Sequence, residues 1–96
     1  MYYINSMRFE WDPRKAASNK RKHGISFEEA ASSFADPLAL LLEDKLHPER
    51  AVLIGVSQKL RVLFTVFAEL AQDGIRIVSA RKATRQERRR YEEENE

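Results

Sequence analysis

Cysteine is absent from the 96 residues, and glycine and proline occur only three times each. Without cysteine there is no disulfide framework and no thiolate chemistry. Gly24, Gly55 and Gly74 stand alone, so no glycine-rich loop exists to cradle a phosphate. The two histidines, His23 and His47, do not recur with acids at metal-ligand spacing, and no serine-nucleophile motif is present. No apolar run approaches the roughly 18 residues of a membrane span. The N-terminus lacks the charged-then-apolar layout of a signal peptide, and the chain reads as cytoplasmic. There is no repeat, linker or low-complexity tract.

What is present is one domain's worth of chain with 43% apolar residues, enough for a single packed core. Seventeen Lys and Arg face 15 Asp and Glu, but unevenly. Arg14, Lys15, Lys20, Arg21 and Lys22 crowd one early stretch, and Arg76, Arg81, Lys82, Arg85, Arg88, Arg89 and Arg90 crowd a late one. Clustered cations attract polyanions and make their binding salt-dependent. Two solvated helix faces would produce the same clustering.

Local signals divide the chain. Phe9 and Trp11 alternate with Arg8 and Glu10, which predicts a strand over residues 7–11. Asp12-Pro13 opens a helix as cap and first residue, and Gly24 closes it. Ser26 and Glu29 have capping-box spacing at the start of a second helix. There Phe27, Ala30, Ala31 and Phe34 form a buried stripe, and Asp36-Pro37 ends it. Leu38–Leu42, Ala51–Val56 and Val62–Phe67 predict strands, the last two covered on both faces. In the strand from Ile75 to Lys82, Ile75, Ile77 and Ser79 are expected on one face and Arg76, Val78 and Ala80 on the other. Thr84 and Glu87 form a second capping box opening the last helix. The order β-α-α-β-β-β-β-α, with short connections, predicts an α+β fold in which an antiparallel sheet packs against helices.

Metal-free phosphate chemistry is the catalysis these residues suit. Cutting RNA that way needs a base for the 2′-hydroxyl, cations for the charge on phosphorus and an acid for the leaving 5′-oxygen. Arg81 sits where a strand meets a capped helix N-terminus, a position that favours an anion. Arg85 in the first helical turn opposes the dipole unless an anion is near. His23 ends the first helix, where the dipole favours its protonated form; it suits an acid, a phosphate clamp or a simple cap. His47, Glu49 and Arg50 fall in a loop, with Glu49 or His47 a candidate base and a solvated loop the plainer reading. Tyr91 is the one substantially apolar residue of the last helix, which must therefore fray or dock on a partner.

Phe9-Glu10-Trp11-Asp12, Asn19 with Lys22-His23-Gly24, Phe27-Glu28-Glu29-Ala30, Asp36-Pro37, Glu49-Arg50, Gly55-Val56-Ser57, Arg61, Arg76 to Thr84, Glu87-Arg88 and Tyr91 together resemble the BrnT toxin family. The resemblance runs from Met7 onward, so residues 1–6 are expected to be an N-terminal extension and residues 7–96 a single toxin domain. It implies a RelE-like ribonuclease fold and translation arrest through RNA cleavage. It also implies a BrnA-type antitoxin with a ribbon-helix-helix DNA-binding part, through which the pair occupies operator DNA. Carried over by position, Arg81, His23, Glu49, Arg61 and Lys22 are candidate catalytic residues. Arg50, Lys82, Thr84, Arg88 and Tyr91 are candidate RNA contacts, joined by Arg85 from its place in the first helical turn, with no metal or cofactor expected. Two alternatives share these features: a non-catalytic nucleic-acid-binding regulator, and a degenerate toxin serving only as antitoxin partner and co-repressor.

Overall fold

The computed structural model describes residues 2–95. Strand β1 (Tyr2–Ile4) and strand β2 (Met7–Glu10) form a hairpin, followed by helix α1 (Pro13–His23), helix α2 (Phe27–Ser32) and a 3₁₀ turn (Ser33–Ala35). Strands β3 (Leu40–Glu43), β4 (Ala51–Val56), β5 (Val62–Leu70) and β6 (Gly74–Lys82) lead to helix α3 (Arg85–Glu94). The strands make one six-stranded sheet in the order β1-β2-β6-β5-β4-β3. The expected α+β class holds, with two differences of detail. Residues 2–4 pair antiparallel to β2 as an edge strand, and β2 runs parallel to β6.

The caps behave as the local chemistry dictates. The Asp12 side chain accepts from the Arg14 amide, Pro13 starts α1, and Gly24 ends it at φ 73° with its amide on the Lys20 carbonyl. A left-handed residue at this position is where glycine costs least. Thr84 and Glu87 complete a reciprocal capping box on α3. Ser26 caps only one way: its hydroxyl accepts from the Glu29 amide, but the Glu29 carboxylate turns inward to Ser57 and Arg61. The capping box expected at Ser26 and Glu29 is therefore half formed, because a buried ion pair binds the carboxylate more strongly than an exposed amide does.

Helices α1 and α2 cover one face of the sheet. There Phe9, Ile25, Phe27, Leu63, Phe67 and Ile77 are almost wholly buried, and Trp11 and Phe34 pack around them. Phe34 meets Phe9 and Phe67 edge-on at 5.2 and 4.9 Å between ring centres. Burying a side chain of this size stabilises by about 1.5–3 kcal/mol. Asn19 of α1 fastens the helix to the sheet. Its amide nitrogen donates to the carbonyls of Ile25 and Ala80 at 3.0 and 2.8 Å, and its oxygen accepts from the Ala80 amide at 3.1 Å.

One extra residue in β6 overturns the expected alternation. Val66 pairs with Ser79 but Phe67 pairs with Ile77, leaving Val78 as a bulge. A bulge re-phases every residue beyond it. Ala80, not Ser79, therefore joins Ile75 and Ile77 in the main core, and Arg81 is turned to the opposite face, beside Phe64.

That opposite face carries Val52, Ile54 and Phe64, and α3 lies on it through Tyr91 alone among its buried residues. The helix docks on its own sheet. Tyr91 donates its hydroxyl to Asp36 Oδ2 at 2.6 Å, and the same oxygen accepts from the Val56 amide at 2.8 Å. Burial, then the hydrogen bond and charge of Asp36, push the Tyr91 hydroxyl up to about 12. A phenol whose pKa rises on folding contributes stability below its unfolded value near 10, and that stability is lost as pH climbs toward 12. Tyr91→Phe is expected to cost roughly 1.5–3 kcal/mol at neutral pH and to remove this alkaline loss. Urea unfolding at pH 8 and pH 11.5 checks both; an unchanged midpoint at pH 8 would show that the hydroxyl does not hold α3.

Candidate functional site

The cations converge at one end of the sheet. Asn19 pins the last turn of α1 to Ala80, two residues before β6 ends, so the exposed Lys22 and His23 stand at that end. The β4–β5 turn and the start of α3 meet there too. Between them lies a groove of ≈ 320 Å³ lined by Leu60, Arg61, Val62, Lys82, Ala83, Thr84, Arg85 and Arg88. Lys82, Arg85 and Arg88 are exposed, and no carboxylate among the described residues pairs with them. Thr84 and Arg85 bring the positive end of the α3 dipole to the groove.

Arg61 is the fixed member. Its Nε donates to Glu29 Oε2 at 2.9 Å, and its Nη2 donates to Glu29 Oε1. Glu29 is 1% exposed and accepts a third hydrogen bond, from Ser57 Oγ at 2.7 Å. Burial by itself raises the Glu29 carboxyl, but the bonds from Arg61 and Ser57 and the charge of Arg61 outweigh it and hold the group below its ordinary range. Such a two-pronged pair fixes the plane of the guanidinium. The Arg61 side chain as a whole is 30% exposed and lines the groove wall. The sequence places Glu29 in a helix cap; its partners are 28 and 32 residues away, a separation to which no local pattern points.

The expected residues thus separate into three places. Arg61, Lys82, Thr84, Arg85 and Arg88 share the groove, with Lys22 and His23 at the same end of the sheet. Arg81 lies on the α3 face, donating to both carboxylate oxygens of Glu87 at 2.8 and 3.0 Å. It stacks 4.1 Å from the centre of the Phe64 ring. Tyr91 is buried beneath α3, and the Thr84 hydroxyl is engaged in its cap. Glu49 and Arg50 lie at the far end of β4, roughly 17 Å away along a strand of this length. There Glu49 meets His47 at 3.5 Å. The larger concavity at that end, ≈ 710 Å³, is lined by Glu43, Asp44 and Glu69 as well as Lys45 and Arg50, and its acids oppose a phosphate chain.

The fold agrees with the comparisons. A model of the ribonuclease toxin BrnT of type II toxin–antitoxin systems matches residues 11–87. The chain belongs to the BrnT family. The crystal structure of the Brucella abortus ribonuclease toxin BrnT matches with a TM-score of 0.67 at 22% identity, over 82% of this chain and 99% of that one, a likeness of fold. None of the curated proteins matches. Every groove residue except Arg88 lies inside the span the family model matches.

Two substitutions separate the roles. Glu29→Gln is expected to cost roughly 1–3 kcal/mol. It also removes an acid-labile component of stability, because a carboxyl lowered by folding contributes above its unfolded value near 4.5 and loses that contribution as pH falls through the folded value. Urea midpoints at pH 7 and pH 3.5 measure this, and the gap between wild type and variant should narrow in acid. Arg81→Ala should destabilise by about 1–3 kcal/mol through loss of Glu87 and Phe64. A midpoint unchanged by Arg81→Ala would show that Arg81 is not structural.

Proposed function

We propose that this chain is a metal-independent endoribonuclease toxin that cuts RNA and thereby arrests translation. The observation carrying this reading is the groove in which Arg61, oriented by buried Glu29, faces Lys82, Arg85 and Arg88 with no carboxylate to neutralise those three. Uncompensated cations on a folded surface repel one another, and a phosphate chain removes that repulsion while releasing its counterions.

On this reading the scissile phosphate sits against the exposed edge of Arg61. The substrate's 2′-oxygen attacks phosphorus, the bond to the 5′-oxygen breaks, and the products end in a 2′,3′-cyclic phosphate and a 5′-hydroxyl. Arg61 stabilises the charge that builds on the phosphoryl oxygens. It does so without reorganising, because Glu29 has already set its plane. Lys82, Arg85 and Arg88 hold the flanking phosphates. Lys22 and His23, on the last turn of α1, supply the proton-transferring groups. Arg81 acts at one remove, by tying β6 to the first turn of α3 through Glu87. A BrnA-type antitoxin with a ribbon-helix-helix part neutralises the toxin on this proposal and carries the pair to operator DNA.

Purified protein should cut single-stranded RNA in EDTA and leave cyclic or 3′-phosphate ends; products with 3′-hydroxyl ends would refute the mechanism. Arg61→Ala should slow single-turnover cleavage by roughly a hundred- to a thousandfold, the range for losing one oxyanion donor. Lys82→Ala should lower affinity for RNA and flatten its dependence on log salt by about 0.7, the share of one phosphate on a single strand.

A further inference from the structure

Leu60 is out of place twice. Its backbone sits at φ 62°, in the left-handed region where a side chain is strained and glycine, asparagine or aspartate is usual. The other non-glycine residues at positive φ are Asn5, Gln72 and Asp73, all polar. Leu60 closes the β4–β5 turn: the Ser57 amide donates to the Arg61 carbonyl and the Leu60 amide to the Ser57 carbonyl, each at 2.9 Å. In such a three-residue hairpin loop the left-handed position is commonly glycine. The Leu60 side chain is also 85% exposed, so it buries nothing in the core. Glycine at this position would relieve the strain and remove exposed apolar surface together, so the fold gives no reason for leucine.

The loop that presents it is anchored. Ser57 is buried and donates to Glu29, and the Lys59 amide donates to Ser57 Oγ at 3.2 Å. Leu60 is thus a rigidly held apolar tip on the wall of the cationic groove, next in sequence to Arg61 and facing the same hollow as Lys82 and Arg88. Strain held at a surface position by rigid surroundings marks a functional contact.

We propose that Leu60 is a positioning residue for RNA cleavage, an apolar wedge that packs on the nucleobase beside the phosphate held by Arg61 and unstacks it from its neighbour. This rests on the groove being the RNA site. Attack by the 2′-oxygen requires that oxygen, phosphorus and the leaving 5′-oxygen to lie in line, a geometry that stacked helical RNA does not present. Splaying one base out frees the ribose to rotate toward it. Aliphatic side chains open base steps in this way on nucleic acids. The surrounding cations select a polyanion with an apolar face, which a nucleotide chain is. Contact with a base face reads no hydrogen-bond pattern, so the cut should favour weakly stacked steps over any fixed sequence.

Leu60→Gly and Leu60→Asn test this on the purified full chain, alongside Arg61→Ala. The substrates are a single-stranded RNA and the same RNA carrying an abasic ribonucleotide on one side or the other of its cut site. Both Leu60 variants are expected to unfold in urea at or above the wild-type midpoint. They should cut the intact RNA roughly tenfold or more slowly, the low end of what one base stacked on an aromatic side chain is worth. On the abasic RNA that lacks the contacted base, wild type should be no faster than either variant. If the Leu60 variants cut intact RNA at the wild-type rate while Arg61→Ala is inactive, the wedge is wrong and the groove stands. If Arg61→Ala also cuts normally, the groove itself is misassigned. A lowered urea midpoint would give Leu60 to the fold and overturn the proposal. So would normal cleavage combined with lost binding of the antitoxin, which would give Leu60 to a protein partner.

Discussion

A carboxylate taken almost completely out of water must be paired or it will not stay charged, and the functional end of this molecule is organised around that requirement at Glu29. Three donors meet it: two from Arg61 and one from Ser57. Those donors sit at either end of the β4–β5 turn, while Glu29 sits in the first turn of α2. One ion pair therefore registers helix against hairpin, and in doing so fixes the guanidinium plane that faces the groove. The pair also orders the loop between its two donors, so Leu60 inherits a position it would not hold alone. Replacing the pair with apolar side chains of like volume could match it in stability; it would not leave a cation aimed at the groove.

The two faces of the sheet divide the remaining work. The face under α1 and α2 is a conventional aromatic and aliphatic core, and Asn19 fixes the end of α1 relative to β6 through the backbone of Ala80. The face under α3 is held by fewer, more polar contacts: Tyr91 to Asp36, Arg81 to Glu87, and Asn95 to the Leu38 carbonyl. The bulge at Val78 links the two halves. It sends Ala80 to one face, for Asn19 to grip, and Arg81 to the other, to grip α3. The start of α3, which carries Thr84, Arg85 and Arg88, is positioned by both.

Much of this architecture could be read from the chain because its signals are local. Asp12-Pro13, Gly24, Ser26 and the Thr84–Glu87 box each satisfy backbone groups within a few residues, and the apolar runs of β4 and β5 announce buried strands. What escaped depends on residues far apart. No period in the sequence reveals that β2 runs parallel to β6, that Val78 is an extra residue, or that Glu29 prefers Arg61 to its own helix cap. The candidate site shows the same division. The Lys82–Arg88 segment was legible as a basic cluster, Arg61 was named only by the family resemblance, and the two converge on the groove. Glu49 and Arg50 stand in motif order with them but precede β4 while Arg61 follows it, so the strand itself sets them at opposite ends.

Lys82, Arg85 and Arg88 line one small groove beside Arg61 and, unpaired with any carboxylate among the described residues, raise the free energy of the folded chain by mutual repulsion, and Leu60 raises it again by strain. Neither feature helps the protein fold. Their costs are tolerable because they sit at an end of the sheet whose backbone is over-determined by Glu29, Asn19 and two helix caps. A ligand that both neutralises the cations and covers the leucine would recover part of each cost on binding, so its affinity draws on energy already stored in the free protein. A simple anion recovers only the electrostatic part, and an apolar molecule only the hydrophobic part. A polynucleotide strand offers both, with charge along its backbone and an apolar face at each base. The same accounting explains why the groove needs no acid of its own. A neutralising carboxylate would stabilise the free protein, and it would remove the difference between free and bound states on which binding and catalysis depend in the proposed function.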